Sequence, residues 1–165
     1  MRCELCDSKL TTERATQAFD PALPEVIVDG LERATCPNHG DVGSVWPKAN
    51  ALLELVIGAL LNKPSRLVPD EVVFLRKLTG LKAIELAEVL GVGAVQVSRW
   101  ENGAQPISAL ADRLLRMVVA TRSEYPTPDL RTIDNKRAEP LALRVELGRK
   151  GWRIVEPKAK SKAAA

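Results

Sequence analysis

Hydrophobic residues recur every three or four positions through the middle of the chain, from about residue 48 to residue 124. The first such run predicts a helix over residues 48–62. A segment with two prolines, residues 63–69, interrupts the pattern and predicts a linker. Four shorter helices follow, bounded by glycine, proline or a capping serine. They are Asp70–Thr79, Lys82–Leu90, Ala94–Asn102 and a last helix after Ser108 that carries Leu110, Leu114, Met117 and Val118 on one face.

Short extended patterns flank this helical centre. Prolines and glycines divide residues 1–47, and the pieces between them predict strands at Glu25–Asp29 and Gly43–Trp46. After Pro128, alternating leucines and a valine, a turn and Trp152–Val155 predict a hairpin, followed by a frayed tail at Lys158–Ala165. The expected fold is therefore α+β and mainly α. Its predicted parts are a β-rich module at 1–47, a connecting helix and linker at 48–69, a helical domain at 70–125 and a basic extension at 126–165.

Composition narrows the class of protein. The chain has 165 residues, 45% of them hydrophobic, which predicts one or two domains with a buried core. The sequence contains neither a signal-peptide pattern nor an apolar run long enough to span a bilayer, so we expect a cytoplasmic protein without a membrane partner. Three cysteines in a reducing compartment argue against a disulfide scaffold and leave metal binding or core packing open.

Charge is unevenly distributed along the chain. Residues 1–61 contain 5 Lys/Arg and 9 Asp/Glu, whereas residues 62–165 contain 19 and 12. An acidic front and a basic back suggest two modules with different partners, and the basic part would favour a polyanion. Glu25, Asp29 and Glu32 are the candidate contacts of the acidic module to a basic protein. The alternative is an ordinary solvated surface.

Two metal-ligand pairs use the whole cysteine and histidine inventory of the chain. Cys3 and Cys6 form a CxxC pair, and Cys36 and His39 form a CxxH pair. Two intervening residues let both side chains of each pair reach one ion, and three thiolates with one imidazole suit tetrahedral Zn²⁺. Four protein ligands close the coordination sphere, which predicts a structural zinc and leaves no open position for catalysis. An iron–sulfur cluster is the lesser alternative because it more often takes four cysteines.

The segment from Leu86 to Gly103 predicts two packed helices with an exposed outer face. Leu86, Ala87 and Leu90 form the buried stripe of the first helix, and Gly91 makes the turn. Val97 and Trp100 form the inner face of the second helix. The outer face or the start of the second helix is then left to Ala94, Val95, Gln96, Ser98, Arg99 and Asn102. Small or polar residues with one arginine suit insertion into a DNA major groove, although an ordinary helical bundle is the alternative.

These residues resemble the helix-turn-helix of the lambda-repressor-like (Cro/cI, XRE) family. The resemblance implies that Ala94–Asn102 is the recognition helix and that Arg76 and Glu101, 25 residues apart, form a structural ion pair. It also implies base reading by Arg99 and, more weakly, by Gln96. Ala94 and Val95 would touch thymine methyl groups, and Ser98, Asn102 and Lys82 would contact phosphates.

The order of the modules resembles the MqsA/YgiT-type antitoxins over roughly residues 1–120. That resemblance implies a zinc module that binds a ribonuclease toxin, and a homodimeric helix-turn-helix module that represses its own operon at a palindromic operator. Two other functions stay open: a stand-alone regulator whose zinc module is a dimer brace or protein adaptor, and a zinc enzyme. The sequence argues against an enzyme because His39 is its only histidine and no HExxH or HxE motif is present.

Overall fold

The computed structural model describes residues 1–134 and 137–155, and the predicted tail at Lys158–Ala165 lies outside them. The described residues form five strands and five α-helices. They are β1 (Thr11–Asp20), β2 (Leu23–Cys36), β3 (Gly40–Val45), α1 (Ala49–Leu61), α2 (Pro69–Leu78), α3 (Ala83–Leu90), α4 (Ala94–Glu101), α5 (Ala109–Arg122), β4 (Leu143–Gly148) and β5 (Gly151–Val155). The predicted α+β class is confirmed. The described residues form two compact units, one of residues 1–19, 25–53 and 142–155, the other of residues 20–24, 54–134 and 137–141.

The first unit is a five-stranded sheet built around β2. Strand β2 lies beside β1, pairs antiparallel with β3 and pairs parallel with β4, and β5 completes the β4–β5 hairpin. The hairpin predicted from alternation in the C-terminal extension is thus present. Its parallel pairing with residues of the N-terminal module was not anticipated, because a pairing partner more than 100 residues away leaves no local signal.

Gly30 divides β2 into two halves. Val26 and Val28 are buried in the first half. In the second half the next buried residue is Leu31, three positions after Val28 instead of the two that an unbroken strand would give. Gly30 has a φ of +94°, and a Cβ at this position would lie 3.1 Å from the Cβ of Leu147 on β4. The first half pairs with β4 and the second with β3, so the glycine marks the point where β2 changes partner.

Strand β1 was missed by the sequence analysis, which also made β2 far too short. The side chains of β1 are all exposed or half-buried, so its ten residues carry no alternating apolar signal. The pairing of β4 with β2 also changes the distribution of charge, because it brings Arg144 of the hairpin beside Asp29 of β2. Arg144 Nε lies 2.5 Å from Asp29 Oδ2, and Arg153 pairs with Glu146 at 2.9 Å.

The second unit contains the helix-turn-helix. Leu86, Ala87 and Leu90 of α3 are buried, as are Val97 and Trp100 of α4, which confirms the predicted inner faces. The predicted cap at Ser108 is also confirmed, because its Oγ accepts a hydrogen bond from the Ala111 amide at 3.2 Å. The helices therefore form where capping and apolar spacing agree.

Helix α5 exposes the first part of the predicted apolar face, whereas Met117 and Val118 of that face are half-buried. Leu110 is 77% exposed and Leu114 38% exposed. The face that packs inward instead carries Ala111, Asp112, Leu115, Arg116, Val119 and Ala120. A buried aspartate and arginine hide this face from a hydrophobicity pattern, because both count as polar in the sequence.

A buried ionic network holds the segment predicted as a linker. Arg116 pairs with Asp112, both fully buried, and Lys63 pairs with Glu71, both almost fully buried. The Arg116 guanidinium donates to four main-chain carbonyls, those of Leu60, Leu61, Lys63 and Ser65. Residues 62–69 are therefore fixed to the helical unit by paired charges and main-chain hydrogen bonds.

Candidate metal centre and nucleic-acid interface

Two turns, one before β1 and one between β2 and β3, bring the four predicted metal ligands together. Cys3 and Cys6 lie in the turn before β1, Cys36 ends β2, and His39 lies in the turn that leads to β3. Their ligand atoms all lie within 4.8 Å of one another. Cys3 and Cys36 are buried against Leu10 and Ala34, which closes one side of the cluster.

The spacing of the ligand atoms fits a zinc ion. The His39 Nδ1 lies 3.5 Å from the sulfurs of Cys3 and Cys36 and 3.6 Å from that of Cys6. The sulfurs of Cys6 and Cys36 are 3.6 Å apart. Tetrahedral Zn²⁺ with ordinary bond lengths requires about 3.6 Å between sulfur and nitrogen and about 3.8 Å between two sulfurs. The cluster is therefore a candidate structural zinc site with a complete ligand set.

The surroundings favour a thiolate at Cys6. Hydrogen bonds from the Ser8 side chain, the Ser8 amide and the Asn38 side chain lower the pKa of Cys6 to about 6. The pKa of Cys3 moves the other way: the Leu5 amide lowers it, but burial and the thiols of Cys36 and Cys6 outweigh that effect and raise it. A deprotonated Cys6 at neutral pH supplies the form of the side chain that binds a metal.

Helix α4 exposes most of the residues predicted to read DNA. Val95 is 66% exposed, and Arg99 is also exposed. Ala94, Ser98 and Asn102 are exposed too, whereas Gln96 is half-buried. Val97 and Trp100 anchor the opposite face of the helix, so the exposed side chains stand on a fixed support.

The end of α4 is fixed by two polar contacts. Arg76 of α2 forms a two-point ion pair with Glu101, with Nε–Oε1 at 2.5 Å and Nη2–Oε2 at 3.3 Å. The same guanidinium donates to the Leu81 carbonyl at 3.0 Å, just before α3. The Asn102 Oδ1 accepts from the Ala104 amide at 2.9 Å, so this side chain caps the turn after α4. Arg76 thereby connects α2, α4 and the start of α3.

The start of α3 adds one residue that the sequence analysis missed. Lys82 is exposed and precedes the helix, as expected for a phosphate contact. Two residues later, Ile84 is 57% exposed. An isoleucine outside the buried stripe of Leu86, Ala87 and Leu90 is the signal that could have revealed it. An exposed apolar side chain of this size can contact thymine methyl groups.

Residues 74–117 match the model of a helix-turn-helix family. The chain carries a DNA-binding helix-turn-helix domain. This XRE-type domain follows a β-rich module with the Cys3/Cys6/Cys36/His39 cluster, and such domains are typical of regulators that are not enzymes. No curated protein and no solved structure matches the chain. Among residues 1–134 and 137–155, no helix combines the length and the apolar character needed to cross a bilayer.

Proposed function

We propose that this protein is a zinc-stabilised transcriptional repressor that binds an operator through α3 and α4. The single observation that carries the proposal is the exposed face of α4, held in place by Val97, Trp100 and the Arg76–Glu101 pair. Arg99 is the principal base reader because its guanidinium can donate two parallel hydrogen bonds to guanine. Lys82 contacts a phosphate at the start of α3.

Two variants separate base reading from phosphate binding. Arg99→Ala should cost about 1–3 kcal/mol on a duplex that the full chain has enriched from a random pool, and much less on a scrambled duplex. Lys82→Ala should weaken binding to both duplexes alike and reduce the dependence of log K on log salt by about one. Arg122→Ala removes the same charge from the end of α5 and is the matched control. Equal losses on both duplexes for Arg99→Ala would assign Arg99 to the DNA backbone.

The repressor acts as a homodimer, and the exposed apolar face of α5 is the proposed contact between copies. A repressor-like module of this size reads few bases alone, and two half-sites require two recognition helices related by a two-fold axis. A second apolar segment, Ala51–Leu61 on α1, could also pair two copies, but it is largely used internally because Leu52, Val56 and Leu60 are buried. Leu110→Asp with Leu114→Asp should give a monomer in sedimentation. A wild-type monomer at micromolar concentration, with and without the enriched duplex, would contradict the dimer.

The finer proposal is that this repressor is the antitoxin of a toxin–antitoxin pair and binds its toxin through the first unit. Glu25 and Glu32 are exposed and available to a basic protein, whereas Asp29 is engaged by Arg144. A second exposed surface lies beside the metal cluster, where Leu5 is 80% exposed at the edge of a cavity of about 620 Å³ that Val42 also lines. Exposed apolar side chains around a concave surface suit a protein partner.

The test uses the full chain, because a fragment of residues 1–62 lacks the two strands that complete the sheet. Titration with the product of the adjacent gene should show binding that Glu25→Lys with Glu32→Lys, or Leu5→Asp with Val42→Asp, weakens at least tenfold. Arg99→Ala is the control and should retain the interaction. If both double variants bind as tightly as the wild type, the assignment to this unit is wrong.

A stand-alone regulator is the second candidate function. The observation that favours it is the neutralisation of the acidic strand residues by neighbouring arginines, as in the Asp29–Arg144 and Asp41–Arg33 pairs. A sheet whose acids are already paired attracts a basic protein less strongly. Absence of binding to the adjacent gene product, together with intact repression, would favour this candidate over the antitoxin.

A further inference from the structure

The β4–β5 hairpin ends in two adjacent cations. Gly148 pairs with Gly151 across the hairpin, so Arg149 and Lys150 alone form its turn. Both residues are exposed, and neither side chain forms an ion pair or a hydrogen bond with another residue of the described chain. We call this pair the hairpin tip.

The other arginines near the tip are neutralised. Arg144 pairs with Asp29, and Glu146 pairs with Arg153 at 2.9 Å and with Arg14 at 3.7 Å. The acids of this region are therefore occupied at the base of the hairpin. None of the described residues provides the two cations at the tip with an acidic partner, so they concentrate positive potential at the turn of the hairpin.

The tip is presented on an anchored support. Leu143 and Val145 are buried, and β4 pairs with β2 over four residue pairs. On β5, the Trp152 indole Nε1 donates to the Pro47 carbonyl at 2.8 Å. A glycine on each side of the turn places no side chain beside the cations, so a large surface can approach them closely.

We propose that Arg149 and Lys150 form a second DNA contact of this protein, one that binds phosphates. This inference rests on the DNA binding of the proposed function. Duplex DNA is a polyanion, and an arginine can bind a phosphate through two hydrogen bonds. Two side chains on a turn fix the position of a phosphate backbone but do not read a sequence. A basic toxin, by contrast, is repelled by the tip, so the two proposed partners use different surfaces.

The experiment measures DNA affinity against salt concentration for the full chain and for Arg149→Gln with Lys150→Gln. Removing two phosphate contacts should lower the slope of log K against log salt by about two, on the enriched and the scrambled duplex alike. Lys9→Gln with Lys48→Gln is the matched control, because it removes two other exposed, unpaired cations of the same unit. Its slope should equal that of the wild type, as should that of the charge-conserving pair Arg149→Lys with Lys150→Arg.

The outcomes distinguish a failure of the tip from a failure of the repressor function. Absence of binding to any duplex by the full chain would refute the proposed function and, with it, the tip. Normal binding with an unchanged slope would overturn the tip alone, as would a loss confined to the enriched duplex or an equal loss in the lysine control. Loss of binding to poly-L-glutamate with an unchanged DNA slope would reassign the tip to an acidic protein. If the glutamine pair loses the β4–β5 amide signals, the two single variants carry the test, each with an expected slope change of about one.

Discussion

Replacing Arg116 by methionine tests whether the buried ionic network holds the helical unit together. Arg116 is fully buried on α5, and its Nε donates to Asp112 Oδ1 at 2.7 Å. Its two terminal nitrogens donate to carbonyls of the segment after α1, with the shortest distance 2.6 Å, to Lys63. Methionine matches much of the length of the side chain but provides none of these donors.

The expected loss follows from the charges left behind. The fully buried carboxylate of Asp112 would keep one hydrogen-bond donor among the described residues, the Leu67 amide at 2.7 Å. Removing one partner of a buried ion pair costs about 3–5 kcal/mol, and each buried carbonyl left without a donor adds about 1–3 kcal/mol unless water reaches it. Burial of the methionine side chain returns only about 2 kcal/mol. We therefore expect a loss of at least about 3 kcal/mol, which is a large part of the 5–15 kcal/mol typical of a domain.

Urea unfolding followed by circular dichroism at 222 nm measures this loss, because the helical unit dominates that signal. Arg122→Met on the exposed end of the same helix is the control and should change the free energy of unfolding by less than about 0.5 kcal/mol. Asp112→Leu combined with Arg116→Met should recover part of the loss, because no unpaired charge then remains buried. A loss below about 1 kcal/mol for Arg116→Met alone would refute the reasoning and mean that the guanidinium is replaceable by water.

Three further predictions concern the sheet. Gly30→Val should lower the free energy of unfolding by about 1–3 kcal/mol, because valine is strained at positive φ and its Cβ meets Leu147. Hydrogen exchange measures this effect: the protection of β4 amides should fall, and unchanged protection would contradict the prediction. Metal removal by a chelator should collapse the NMR amide dispersion of residues 1–10 and 36–45 and spare residues 26–29 and 143–155, which have their own core; an apo spectrum with intact signals from 1–10 would count against the zinc site. Burial raises the pKa of Asp29, but the hydrogen bonds from Thr16 and Arg144 and the charge of Arg144 outweigh burial, so the pKa lies below its ordinary value. The ionised Asp29 therefore stabilises the fold, and this contribution is lost as the pH falls through the lowered pKa. Asp29→Asn should therefore flatten the loss of stability with acid, and identical acid unfolding curves would refute this linkage.

The helical half of the fold was predictable from the sequence because its signals are local. Apolar spacing, Ser108 as a cap and glycines after α3 and α4 lie within a few residues of the features they specify. The inner face of α5 was not predictable in the same way, because the buried pair of Asp112 and Arg116 forms part of it. These two charges are buried because they pair with each other, and a hydrophobicity pattern carries no information about such pairing.

The sheet was less predictable because its order depends on distant pairing. Strand β1 lacks an apolar face, and the parallel partner of β2 lies beyond the whole helical unit in sequence. The four metal ligands were recognisable by contrast, because both pairs have their own short spacing and together they exhaust the Cys and His residues. Ile84 and the hairpin tip were not predicted, for different reasons. Ile84 lies on α3, outside the predicted recognition helix, and the cations of the tip stand out only against the ion pairs around them.

The charge of the first unit illustrates why composition alone could not identify its partners. Counted along the chain, the acids and bases separate into a front and a back half. In the structure, β4 lies beside β2, and the arginine that the back half supplies is Arg144, opposite Asp29. Ion pairs at the base of the hairpin neutralise Arg144 and Arg153, and the two cations at its tip have no partner among the described residues. Among the described residues of the hairpin, the cations that stay free for a polyanion are therefore the two of its turn. If the salt dependence of DNA binding is insensitive to Arg149 and Lys150, the excess positive charge of the back half must act elsewhere in the chain.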